Sequence, residues 1–131
     1  VKSPKIYFCD SGLLHAFLKL DTFSQLVTHP VVGASWEGFV IEEIASRIGH
    51  TSLYFWATHN LAELDLFWQK GLKNYGVEIK FNEAPTLTPS MRIALEDLQL
   101  EQLWVVTPGS RGYQLAERVK VVPLPEINQI F

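Results

Sequence analysis

The chain has 131 residues, is 47% hydrophobic and 12% aromatic, and carries a net charge of −3 with an isoelectric point near 5.8. That length and apolar content predict one globular domain with its own core, and they exclude a disordered chain or two ordinary domains. The acidic balance gives no overall basic footprint of the kind a strong nucleic-acid binder carries, so a nucleic-acid role has to rest on a local patch or on another domain. No run approaches about eighteen apolar residues and no leader pattern is present, so neither a membrane span nor a signal peptide is expected. Cys9 is the lone cysteine; an internal disulfide is therefore excluded, a structural zinc site is not expected, and a cytoplasmic setting is. Opening on Val1 with no polar tail, the sequence reads as a fragment of a longer protein.

Residues 5–9 (KIYFC) are short, apolar and β-prone. Asp10 then offers an N-cap for a helix expected over residues 12–20, in which His15 reads as an ordinary surface or half-buried side chain. Residues 21–32 read as a loop, or as a short helix and a loop. The clearest helical pattern follows in WEGFVIEEIASRI, where Trp36, Val40, Ile44 and Ile48 fall on one stripe at about 100° per residue. Glu37 falls inside that apolar arc and Glu43 at its other margin, whereas Glu42 points away. An ionised carboxylate facing a core needs a partner, so Glu37 invites a site role as well as its alternative, a first-turn charge favoured by the helix dipole.

Gly49 ends the helix and LYFWAT reads as a strand, with His50 and His59 at solvated turns. Residues 62–81 (AELDLFWQKGLKNYGVEIKF) read as two further strands joined by a Gly-containing turn, completing an antiparallel meander. Side chains alternate along a strand. Glu78 and Lys80 then leave one face together, Glu63, Asp65 and Phe67 share a face, and Leu64, Leu66 and Trp68 share the opposite one. In this pairing Asp65 can sit across from Glu78. Two carboxylates about 4 Å apart repel by roughly 4 kcal/mol at an effective dielectric near 20, so such a pair calls for a cation or a shared proton. Lys80 offers one cation, and a divalent metal would be a better one.

After Phe81 the period changes. Ser90 is expected to cap a helix, MRIALEDLQL, that turns Ile93, Leu95 and Leu98 inward. EQLWVVT follows as a strand buried on both faces. Strand, helix, strand makes a right-handed βαβ unit, so LWVV should run parallel to the Glu78 strand. KVVPL reads as a last strand that Pro123 marks as an edge or an end. The expected fold is thus α/β, with a mixed sheet made of a three-strand meander and then βαβ, flanked by helices.

This order, with Asp65, then Glu78-x-Lys80 a dozen residues on, and a glutamate in the preceding helix, resembles the restriction-endonuclease-like fold of the PD-(D/E)xK nuclease superfamily. The resemblance implies Asp65 and Glu78 as ligands of Mg²⁺ or Mn²⁺ and Lys80 as the group that orients or activates water and stabilises charge. Glu37, or Glu43, would be the accessory helix glutamate. Hard carboxylate oxygens suit such ions, and the ions suit phosphodiester hydrolysis. The chain departs from the pattern in having no Pro before Asp65 and no extra basic residue near Glu101.

A longer resemblance runs through SPKIYFCDSGLL, GASWEGFVIEEI, AELDLFW, GVEIKF, ALEDL and WVVTPGSRGYQLAERVKVVPLPEI. These runs, in order, are similar to the C-terminal domain of unknown function of predicted prokaryotic AAA+ type ATPases. That resemblance implies an upstream P-loop ATPase domain as partner. No GxxxxGK[ST] stands in these residues, so none of them is expected to hydrolyse ATP by that motif. Two readings follow: a metal-dependent nuclease acting on DNA or RNA, or a catalytically inactive module that binds nucleic acid or protein and regulates or oligomerises the ATPase.

Overall fold

The computed structural model describes residues 5–131. Helix α1 (Ser11–Phe17) starts where Asp10 Oδ1 accepts the Leu13 amide at 3.0 Å, the expected cap. It stops three residues earlier than the sequence pattern predicts, with Lys19 in the left-handed region at φ 56°. A capping box between Thr22 and Gln25 opens α2 (Phe23–Thr28). The long helix α3 (Val32–Ile48) ends at Gly49, whose φ of 99° suits a residue without Cβ.

Strands β1 (Tyr54–Ala57), β2 (Glu63–Lys70) and β3 (Lys73–Ile79) form the expected meander. Helix α4 (Pro89–Asp97) carries the chain to β4 (Leu100–Thr107), which lies parallel to β3. Then come β5 (Tyr113–Ala116), β6 (Val119–Pro123) and a 3₁₀ helix over Leu124–Ile130. The six strands make one mixed sheet in the order β1-β2-β3-β4-β6-β5. Among the described residues no helix is long and apolar enough to cross a membrane.

The sheet is covered on both faces. One core joins Val40 and Ile44 of α3 to Leu66, Trp68, Val77, Ile79, Trp104 and Val106, and is closed by Ile127 and Ile130 of the 3₁₀ helix. Trp68, Tyr75 and Trp104 stack within it at centroid separations of 5.6–5.8 Å. The other core joins Met91, Ala94 and Leu95 of α4 to Leu64, Leu100, Leu103, Val105, Val119 and Val121. Strand β4 feeds alternate side chains into both, as its continuous apolar run predicts.

Four expectations are corrected. Residues 5–9 form no strand: their side chains engage α3 and β2 instead, as described below. Thr88 rather than Ser90 caps α4, because its Oγ1 accepts the Met91 amide and Pro89 supplies a first helical residue that needs no donor. That start sets the helical phase, so Met91, Ala94 and Leu95 are buried, Leu98 is packed against them, and Ile93 is exposed. Pro123 ends β6, one of the two roles expected of it, while β5 forms the edge of the sheet.

The alternation along β2 is the fourth. Tyr54 pairs with Phe67 but Trp56 pairs with Leu64, so the single residue Phe55 faces both Asp65 and Leu66. This is a β-bulge, and it moves Leu64 to the α4 face while Leu66 and Trp68 stay on the α3 face. Residues 64–66 are consequently buried in succession. Within the α4-side core, a Cβ on Gly76 would stand 2.7 Å from Leu64 Cδ2 and 3.0 Å from Leu100 Cδ1. Both leucines are fully buried. Gly76→Ala is therefore expected to lower unfolding free energy by about 1–3 kcal/mol, as overpacking does, read as an earlier midpoint in urea denaturation; an unchanged midpoint would contradict this packing.

Candidate functional site

The bulge puts Asp65 where the β2–β3 ladder gives out. The last paired residues are Leu66 and Val77, and in the same register the next positions are Asp65 and Glu78. There the side chain takes over from the backbone: Asp65 Oδ2 accepts the Ile79 amide at 2.8 Å. Its other oxygen, Oδ1, lies 3.5 Å from Lys5 Nζ. Lys5 Nζ also lies 3.0 Å from Glu37 Oε1, and that same oxygen accepts a short hydrogen bond from the Tyr7 hydroxyl. Glu37 sits in the second turn of α3, so helix, sheet and N-terminal segment converge on one acidic spot.

Glu78 is 4% exposed. One oxygen, Oε1, receives Lys80 Nζ at 2.6 Å, and Oε2 is buried without a hydrogen-bond partner. The i, i+2 spacing on β3 thus gives the same-face pair that strand geometry dictates. Glu43 stands elsewhere: its carboxylate pairs with Arg47 at 3.0 Å on the outer side of α3. Of the two helix glutamates, Glu37 is the one beside Asp65. His50 pairs with Glu42 and His15 with Ser35, which accounts for both histidines without a ligand role.

Electrostatics follows from this crowding. Burial, then the charges of Glu78 and Glu37, push the Asp65 carboxyl up to about 7, against the opposing pull of the Ile79 amide and Lys5. Burial likewise raises Glu78, although Lys80 pulls it down. Lys80 is lowered by burial but raised more by its hydrogen bond to Glu78 and by the charges of Glu78, Asp65 and Glu37, so it is held above the ordinary lysine range. Lys5 follows the same logic with Glu37 and Asp65. Both lysines are cations at neutral pH.

Asp65, Lys5 and Tyr7 line a cleft of about 440 Å³ that also takes in Ile41, Tyr54 and Phe55. Lys5 Nζ lies 5.4 Å from the Phe55 ring centroid, a cation–π distance. A second cleft of about 510 Å³, lined largely by apolar side chains of α2 and α3, touches none of Glu37, Glu43, Asp65 and Glu78.

The donor set suits a hard divalent cation at Asp65 and Glu78: both are carboxylates in facing register, and Glu78 Oε2 has a free acceptor. Among the described residues no three His, Cys, Asp or Glu side chains converge as a ready metal cluster. Water and phosphate oxygens would have to complete the shell. Lys5 and Tyr7 are the site residues that sequence reasoning missed. Their apolar, β-prone surroundings hid them; the one available signal was Gly38 in mid-helix, whose absent Cβ leaves room for the Tyr7 ring, 3.3 Å from where that atom would be.

The chain belongs to the family described as Domain of unknown function (DUF4143), whose profile matches residues 32–127. That span contains Glu37, Glu43, Asp65, Glu78 and Lys80, while Lys5 and Tyr7 precede it. The chain is 45% identical over 126 residues to the uncharacterized protein Rv2008c of Mycobacterium tuberculosis, and equally to the uncharacterized protein Mb2031c of Mycobacterium bovis. Each match covers 96% of this chain and 29% of the relative, so the chain spans under a third of the length of the curated relatives it matches. No solved structure matches it significantly.

The raised Asp65 makes stability depend on pH in a definite direction. Its ordinary value is 3.8 and its folded value about 7. Between these the folded chain holds a proton that the unfolded chain has lost, so stability falls as pH rises from about 4 to about 7 and then levels. The groups setting this window are Lys5, Tyr7, Glu37, Glu78 and Lys80. Asp65→Asn keeps an acceptor for the Ile79 amide and removes the titration. Its stability relative to the wild type should therefore climb by a few kcal/mol across that window, with a slope of at most about 1.4 kcal/mol per pH unit. Urea denaturation at a series of pH values checks this; parallel curves for the two proteins would contradict it.

Proposed function

We propose that this domain is a metal-dependent phosphodiesterase of the restriction-endonuclease-like kind, acting on DNA or RNA. The observation that carries the proposal is the meeting of Asp65, Glu78 and Lys80 at the end of the β2–β3 ladder, with Glu37 beside Asp65. The sheet order, an antiparallel meander followed by a parallel βαβ step, supports it as well.

Asp65 and Glu78 would hold Mg²⁺ or Mn²⁺, which when bound polarises a phosphoryl oxygen and lowers the pKa of water. The chain's own residues have separable tasks. Asp65 is fixed by the Ile79 amide through one oxygen, which aims the other away from the strand. Glu78 holds Lys80, and Lys80, kept protonated by that contact, places positive charge where negative charge develops on phosphorus. A protonated lysine of this kind stabilises charge and orients water; it does not take a proton. Glu37 adds negative charge on the α3 side of Asp65. In the wider reading, this domain is the C-terminal part of an AAA+ type ATPase that governs its access to substrate, in a cytoplasmic setting.

A second reading draws on a specific observation: Lys5 and Lys80 already neutralise Glu37, Asp65 and Glu78 in part. With a net charge of −3 and little basic surface, the domain would then be an inactive module that binds nucleic acid or protein and regulates or oligomerises the ATPase. Incubation of labelled single- and double-stranded DNA and RNA with the chain and Mg²⁺ or Mn²⁺ decides between them. The nuclease reading expects cleavage that falls about a hundredfold or more in Asp65→Ala and Lys80→Ala. Equal signals from wild type and variants, or no cleavage by any of them, would leave the binding module.

A further inference from the structure

The N-terminal segment meets the acidic residues in a way that the metal-dependent reading does not require. Residues 5–9 belong to no helix or strand, and the Ile6 side chain is 90% exposed, yet Lys5 and Tyr7 both turn inward onto the same carboxylate oxygen, Glu37 Oε1. Asp65 has one oxygen committed to the Ile79 amide, so Oδ1 is the oxygen left to ligate a metal, and that is the one Lys5 approaches. The ammonium therefore stands against the oxygen through which Asp65 would hold an ion. A doubly charged ion and an ammonium group repel strongly at such a separation in a half-buried site.

From these contacts we infer that Lys5 is the resident counter-cation of the acidic cluster and that it and a divalent ion exclude one another. The N-terminal segment thereby sets how tightly the site takes metal. This rests on the metal-dependent reading above. Among the described residues, the cluster without this ammonium would set Glu37, Asp65 and Glu78 against Lys80, so Lys5 offsets charge in the metal-free site. Because residues 5–9 carry no ladder hydrogen bonds, the ammonium can leave without unpicking the sheet. Gly38 is part of the same device. Its bare Cα seats the Tyr7 ring, and the Tyr7 hydroxyl anchors the segment on Glu37. Tyr7 and Gly38 are positioning residues.

The test is calorimetric titration of Mn²⁺ into the chain and its variants, with circular dichroism to establish folding. Lys5→Met is expected to bind Mn²⁺ about tenfold more tightly than wild type, because the competing charge is gone. Gly38→Ala keeps every charge but pushes the Tyr7 ring outward; it is expected to tighten binding a few-fold, and it decides the matter should Lys5→Met not fold. Asp65→Ala is expected to abolish the heat in both backgrounds. Unchanged or weaker affinity in Lys5→Met, or in Gly38→Ala where that variant decides, would overturn the inference and leave the metal-dependent reading standing. No heat from wild type or either variant at millimolar Mn²⁺ would remove the metal reading, and the inference with it.

Discussion

The hydrogen bond from the Ile79 amide to the Asp65 carboxylate is the contact on which the acidic end of the sheet depends. It exists because β2 carries one residue more than β1 opposite Phe55. A regular strand would put Asp65 on the face of Glu63 and Phe67 and leave Ile79 to a backbone acceptor. With the bulge, the side chain replaces the backbone as acceptor and Asp65 comes within reach of α3. Bulges are common beside sites for this reason: they re-aim one side chain without dismantling the sheet. Here the surrounding cores fix the distortion, since Leu64 and Leu66 are anchored on opposite faces.

Once Asp65 is placed, the remaining charges arrange themselves around it. Strands β2 and β3 bring Asp65 and Glu78 together with Glu37 of α3 beside Asp65, and burial makes ionisation of Asp65 and Glu78 unfavourable. Two ammonium groups answer, from distant parts of the chain: Lys80 from the end of β3 and Lys5 from the segment ahead of α1. Neither fully balances the cluster. A site short of positive charge, with one carboxylate oxygen buried and unpartnered, has the character of a place that takes up a cation or a proton. That character links the stability of the fold to its chemistry, because what crowds the carboxylates is also what would make them bind a metal.

Much of this was legible in the sequence. The meander, the parallel βαβ step and the doubly buried β4 follow from period and composition, and the Glu78–Lys80 pair follows from strand alternation alone. Asp10 and Gly49 announced the helix ends they make. What could not be read was anything that breaks a period. The bulge is invisible because AELDLFW alternates well enough to be read as regular, and its register depends on Phe55 in another strand. The choice between Glu37 and Glu43 needed the position of α3 on the sheet, since one lies inside the apolar arc and the other at its margin. Residues 5–9 look like a strand because tyrosine and phenylalanine favour strands, but the pull of Glu37 and Asp65 on Lys5 and of Glu37 on Tyr7 is a long-range effect that local pattern does not carry.

The crowding of Asp65 can be measured at its own atom. With ¹³C-labelled aspartate, the Cγ resonance of Asp65 followed by NMR through an acid–base titration reports its ionisation directly, assigned by comparison with Asp65→Asn. A midpoint near 7 is expected. A midpoint near 4, the value of an ordinary solvated aspartate, would mean that the carboxylate is neither buried nor crowded by Glu78 and Glu37, and would contradict the site.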